Sequence, residues 1–288
     1  MILNIISKPT QTIHRLTIVL VTLISVCLPS VAISQAISLN NQVWSAEVIR
    51  PSGQPVIPLF DGWYSNPDGT HSLCFSYFNL NTEQAFDIPV GDNNQLSDDR
   101  FNHLLPTHFD PLPPRYRHKF CVFTVQVPAD FSTGETIVWS LNSGGETLSV
   151  PGHIQPPYVL DEPVSHGRGD IAPLVKLAPD SAASQGRNGV HTRQPLQAVV
   201  GEPLQLEAWI EHPDNRVWVG WAAHSGPGSI TFDKPEQEVD LTQEPIGVIA
   251  EFDTPGDYIV RLQTIDNIAA FEFYCCHTNA YYHVTVGD

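Results

Sequence analysis

Apolar and polar residues alternate along Leu204-Gln205-Leu206-Glu207-Ala208-Trp209-Ile210. A side-chain period of two over that length marks a strand with one buried face. Turn chemistry follows at His212-Pro213-Asp214-Asn215, then a second apolar run, Val217-Trp218-Val219-Gly220-Trp221. Ser225-Gly226-Pro227-Gly228 breaks the chain before Ser229-Ile230-Thr231-Phe232. Val248-Ile249-Ala250-Glu251-Phe252 runs into the turn Asp253-Thr254-Pro255-Gly256, after which Asp257-Tyr258-Ile259-Val260-Arg261-Leu262 alternates again and Ala280-Tyr281-Tyr282-His283-Val284-Thr285-Val286 follows. Short strands at near-regular spacing, Gly/Pro turns and no helical period predict a β-sandwich over residues 195–288.

The same signals recur upstream. Val56-Ile57-Pro58-Leu59-Phe60-Asp61-Gly62-Trp63-Tyr64 reads as a strand, and Asn66-Pro67-Asp68-Gly69 as a hairpin turn. Beyond the turn, residues 71–79 place Leu73, Phe75 and Tyr77 on one face; residues 120–127 and 136–141 give further strands. No helix of three turns is visible in this half. The expected fold class is therefore all-β, with two antiparallel β-sandwich domains, one at 37–161 and one at 195–288. Residues 162–194 between them read as a linker or a first-strand approach, with residues 171–177 the candidate strand inside it.

Residues 199–215, 226–232, 250–267 and 280–286, in that order, resemble the immunoglobulin-like sandwiches of the polycystic-kidney-disease (PKD) repeat and its bacterial cadherin-like relatives. The most specific part is the Pro255-Gly256-Asp257-Tyr258 turn entering the penultimate strand. The Trp-Asp-Phe-Gly-Asp-Gly signature of true PKD repeats is absent, so the resemblance is to the sandwich. With residues 78–94 and 271–286, the chain as a whole also resembles secreted bacterial proteins. The resemblance implies a spacer or binding module, by analogy of fold alone.

At the N-terminus, Lys8 and Arg15 precede an apolar run over residues 16–28, followed by small residues up to Ala32 and Ala36. That order predicts a cleaved secretory signal peptide at 1–36, cut after Ala32 or Ala36, because the run is shorter than the roughly 20 residues a membrane span needs. No other apolar run is long enough for a transmembrane helix. The expected location is the periplasm, the cell surface or the extracellular space. Removing 1–36 takes away only two of the 14 basic residues, leaving 12 against 31 acidic and a net charge of −19. Such acidity repels nucleic acid and favours solubility, cations or basic partners. The 25 prolines and 19 glycines suit a turn-rich β-protein.

Motifs of catalysis are missing: there is no Gly-x-Ser-x-Gly, His-Glu-x-x-His, phosphate-cradling glycine loop or Cys-x-x-Cys. The expectation is a non-catalytic module binding an extracellular or envelope protein or a glycan, with no cofactor required and calcium compatible. Its recognition pole is placed where the turn after the second strand meets the loop before the last. The candidate residues there are His212, Asp214, Asn215, Phe271, Phe273, Tyr274, Cys275, Cys276 and His277, with Asp214, Asp266 and Asn267 as calcium ligands. The alternative is a metal-dependent hydrolase whose ligands come from His103, His108, Asp110 and His118, although their separations match no zinc signature. Residues 92–99 are rich in oxygen ligands but lack the spacing of a calcium loop.

Cys74, Cys121, Cys275 and Cys276 remain after cleavage, in a compartment that permits disulfides. By strand phase Cys121 falls on the face of Phe123, Val125 and Val127, while Cys74 points away from Leu73, Phe75 and Tyr77. The phase predicts separate buried thiols.

Overall fold

A computed structural model describes residues 50–111, 119–160, 171–242, 244–266 and 276–288. The expected leader, His118, Asn267, Phe271, Phe273, Tyr274 and Cys275 lie outside them. The first strands are β1 (Val56–Ser65), β2 (His71–Asn79), β3 (Phe86–Asp87), β4 (Asn94–Leu96), β5 (His108–Phe109), β6 (Lys119–Val127), β7 (Ile137–Ser143) and β8 (Glu146–Gly152). They pair antiparallel as a sheet β1-β2-β6, a second sheet β4-β7-β8, and the short ribbon β3-β5. Leu73, Phe75, Tyr77, Phe123, Val125, Phe109, Trp139 and Leu141 fill one core. The Asn66–Gly69 turn joins β1 to β2 as expected, with Gly69 at φ +86, a conformation that favours glycine.

The remaining strands are β9 (Leu174–Lys176), β10 (Val190–His191), β11 (Leu196–Val199), β12 (Leu204–Glu211), β13 (Arg216–Ser225), β14 (Ile230–Phe232), β15 (Glu236–Asp240), β16 (Ile246–Phe252), β17 (Gly256–Ile265) and β18 (His277–Gly287). One sheet runs β10-β18-β17-β13-β15, with β11 also on β18; the other runs β14-β16-β12-β9. The short β10 and β11 pair parallel with β18, and the other ladders are antiparallel. Alternation in β12 buries Leu206, Ala208 and Ile210 against Val217, Val219, Trp221, Val260, Leu262, Tyr282 and Val284. Residues 171–177 do contribute a strand, since Val175 lies opposite Ile210 and is fully buried.

The chain from Glu47 to Asp288 forms one compact unit. Its two cores meet across a polar seam that originates in paired irregularities. The β1–β2 register shifts between Phe60 and Gly62, so Asp61 is left out of the ladder. In β6 the register passes from Phe123, opposite Phe75, to Lys119, opposite Tyr77, so residues 120–122 are looped out, with Cys121 at φ +42. The Asp61 carboxylate accepts the Cys121 N–H at 2.8 Å and the Ser76 hydroxyl at 2.7 Å. The three carbonyls of the bulge are received by the outer faces of β17 and β18. Gln263 Nε2 donates to Phe120 O at 3.4 Å, Asn279 Nδ2 to Cys121 O at 3.1 Å, and Tyr281 Oη to Val122 O at 2.9 Å.

The bulge also overturns the expectation for the cysteines. Cys74 and Cys121 are joined in a disulfide, with Cα atoms 5.1 Å apart. Strand phase failed because it assumes an unbroken strand. The left-handed residue at 121 turns its side chain off the face of Phe123 and Val125 and onto the face of Cys74. Cys276 is also disulfide-bonded.

Candidate functional site: the sandwich pole and a histidine-lined cavity

The pole singled out in the sequence is built around the backbone of one residue, Ile171. His212 follows β12 and Asp266 follows β17, and both side chains are buried, at 2% and 4% exposure. The Ile171 N–H donates to Asp266 Oδ2 at 3.0 Å, and His212 Nε2 donates to the Ile171 carbonyl at 3.0 Å. That leaves His212 Nδ1 as acceptor for the Asp214 N–H at 3.2 Å, which fixes the tautomer. The imidazole and carboxylate themselves stand 4.0 Å apart. Above this base Pro213, Asp214, Asn215 and Arg216 are exposed, with Asn215 at φ +51, a conformation asparagine tolerates. Cys276 and His277, expected in the loop, are instead buried, and His277 opens β18. The structure thus brings His212, Asp214 and Asp266 to one pole, with Asp214 outside and Asp266 bonded inward.

His108 lies between two carboxylates. Its Nδ1 is 2.6 Å from Asp87 Oδ1 and its Nε2 is 2.9 Å from Asp110 Oδ1. Burial opposes its charge, but the hydrogen bonds and charges of Asp110 and Asp87 prevail and lift the imidazole to about 9. Burial acts the other way on Asp110, yet His108, Lys119 and Arg261 keep its carboxyl below the usual range. With both nitrogens donating, His108 has no lone pair left for a metal.

His103 goes elsewhere. The 3-10 helix Asp99–Leu104 is capped by the Asp98 side chain, and it carries His103 and Leu104 to the edge of a cavity of about 210 Å³. His191, His224, Tyr281 and His283 line the same cavity. Sheet register assembles them: His191 of β10 lies beside Tyr281 of β18, and His283 is two residues further along the same face. His191 stacks on the Tyr281 ring at 4.6 Å, and its Nδ1 sits 3.1 Å from His283 Nε2. His224 falls in the register shift of β13 between Ala223 and Ser225; its ring meets Tyr281 edge-on and its Nε2 donates to Leu104 O at 3.0 Å. Burial, with Arg261 and the neighbouring histidines, holds His224 at about 3, and its Nδ1 is buried without a partner. Partial burial, then repulsion from His283 and His103, brings His191 to about 4. These rings are therefore neutral at physiological pH.

Sequence reasoning missed this cavity. His191 falls in the segment read as a linker, and His224 and His283 are isolated in strands far apart in sequence. The one legible hint was the Tyr281–His283 spacing, which sets both on one face. Among the described residues no group of three or more His, Cys, Asp or Glu side chains is arranged to hold a metal ion, and no helix is long and apolar enough to cross a membrane.

No family model and no curated protein matches the chain. Among solved structures, the D00-D0 domain of intimin covers 81% of this chain and 100% of that chain, at 11% identity and a TM-score of 0.27. The D0-D1 domain of intimin covers the same shares, at 12% identity and 0.24. Domains 4 and 5 of the S-layer protein SbsC match over 82% of this chain and 98% of that chain, at 12% identity and 0.24.

Proposed function

We propose that this chain is an exported, non-catalytic binding or interaction module, released from a leader at 1–36 and acting on an envelope or extracellular protein or a glycan. The carrying observation is the pole. Two buried polar side chains hold the N–H and the C=O of Ile171, beneath a turn whose residues Pro213 to Arg216 all face solvent. A fixed base under an exposed polar loop is how a β-sandwich presents a recognition surface. If calcium takes part, Asp214 is its exposed ligand, since Asp266 Oδ2 is already engaged. The hydrolase reading gains no comparable observation, because His108 has both nitrogens committed and His103 lies at a different cavity.

The test is co-sedimentation of the protein with isolated envelopes, together with a glycan array, using Asp214→Lys and the paired loop variant Phe271→Ser/Phe273→Ser. Asp214 is exposed, so its reversal should change stability by no more than about 0.5 kcal/mol. Saturable binding that Asp214→Lys weakens at unchanged Tm supports the reading. Binding indifferent to both variants refutes it.

A further inference from the structure

The cavity is lined by imidazoles, and two of them meet nitrogen to nitrogen. His191 Nδ1 and His283 Nε2 are 3.1 Å apart, with ring centroids 5.4 Å apart. In the absence of an ion, one ring must carry a proton between the two atoms; otherwise two lone pairs face each other. A metal ion resolves the same contact. With metal–nitrogen bonds of about 2.0–2.1 Å and bond angles between square-planar and tetrahedral, two ligand nitrogens stand about 2.9–3.4 Å apart. The observed separation falls inside that span.

The surroundings favour the same occupant. Parallel pairing of Val190 and His191 with Ala280 and Tyr281 fixes the two rings diagonally on one sheet face. The Tyr281 ring under His191, at an interplanar angle of 17°, restrains its rotation. The whole chain carries −17, so cations are drawn to its surface, and no lysine or arginine is among the residues that line the cavity.

We infer that the cavity binds one divalent transition-metal ion between His191 Nδ1 and His283 Nε2. Imidazole nitrogens select ions of the zinc, copper and nickel type over calcium or magnesium. Two protein ligands with water in the remaining positions make an open, exchangeable site and not a closed structural one. The inference stands apart from the recognition pole and survives if that reading fails.

The experiment uses tag-free protein stripped of metal and titrated with Zn²⁺ by calorimetry near neutral pH, with Ca²⁺ as a second probe. Saturable binding of one Zn²⁺ per chain is expected, with no response to Ca²⁺ at this site. His191→Ala and His283→Ala should each weaken Zn²⁺ binding by at least about tenfold. His71→Ala, which changes a histidine outside the cavity, should bind as the wild type does. Thermal melts provide a second readout: Zn²⁺ raises the Tm of the wild type and leaves that of His283→Gln unmoved. No saturable Zn²⁺ binding, or binding unchanged in the His191 and His283 variants, overturns the assignment.

Discussion

Removing the Cys74–Cys121 disulfide tests the reading of the seam most directly. The two cysteines are 47 residues apart in sequence. Cross-linking a loop of that size removes about 13–14 cal/mol/K of chain entropy from the unfolded state, or about 4 kcal/mol at 25 °C. Both side chains are fully buried, so replacement by alanine also loses apolar contact. The backbone at 121 stays left-handed in either protein, so that conformation cancels in the comparison. Cys74→Ala/Cys121→Ala is preferable to a reductant, because a reductant would also open the disulfide of Cys276. The expected result is a loss of about 4 kcal/mol by urea denaturation, equivalent to a fall of roughly 8–16 °C in Tm for a chain of this size. Peptide mapping of the unreduced protein should recover Cys74 and Cys121 joined. A double variant with an unchanged urea midpoint, or two free thiols at these positions, would refute the reasoning.

Tyr281→Phe leaves Val122 O buried and outside any ladder, so urea denaturation should show a loss of about 1–3 kcal/mol; an unchanged midpoint would mean the hydroxyl does not hold the seam. His108 is held at about 9 against an ordinary 6.5, so its contribution is full below about pH 6.5 and disappears as pH rises through 9. His108→Gln should therefore lower Tm more at acid than at alkaline pH, and an equal loss at both would falsify the carboxylate contacts. Burial holds His224 at about 3 and His277 well below 6.5, so their contribution is full above about pH 6.5 and falls below it by at most about 1.4 kcal/mol per pH unit each. A Tm that stays flat on acidification from neutrality would contradict their burial. The proposed division at 162–194 is checked by limited proteolysis: a C-terminal fragment starting in that segment and keeping its near-ultraviolet circular dichroism supports it, whereas loss of all structure on the first cut counts against it.

What could be seen in the sequence was whatever obeys the period of two. The strand expected at 71–79 matches β2, and that expected at 120–127 differs from β6 by one residue. β15 escaped notice because Glu236 to Asp240 is acidic and mostly exposed at a sheet edge, so no apolar alternation marks it. β8 was missed for a similar reason, with only its final Gly152 buried. Bulges leave no periodic trace, so neither the disulfide nor the row of carbonyls at 120–122 was visible. The segment at 92–99, whose spacing fits no calcium loop, carries a structural residue that its polar composition does not reveal. Asn94 is fully buried, donates to Ile88 O and Pro106 O, and accepts the Trp139 indole N–H. The histidine cavity was hidden for a topological reason, since β10, β13 and β18 are far apart in sequence and come into one sheet only in the folded chain.

The bulge in β6 makes its own row of hydrogen bonds between the two cores chemically one-sided. The N-terminal half offers main-chain oxygens, and the C-terminal half offers the side chains of Gln263, Asn279 and Tyr281. A carbonyl is present whatever residue bears it. Substitutions at Phe120 or Val122 therefore keep the acceptors as long as Cys121 anchors the bend, while each donor depends on the identity of a single residue. Tolerance to sequence change across this seam should be lopsided, with the fixed vocabulary lying in β17 and β18 and the freer one in β6. Drift in the N-terminal half can proceed without a matching change in its partner strands, so the two sides of one buried interface need not evolve in step.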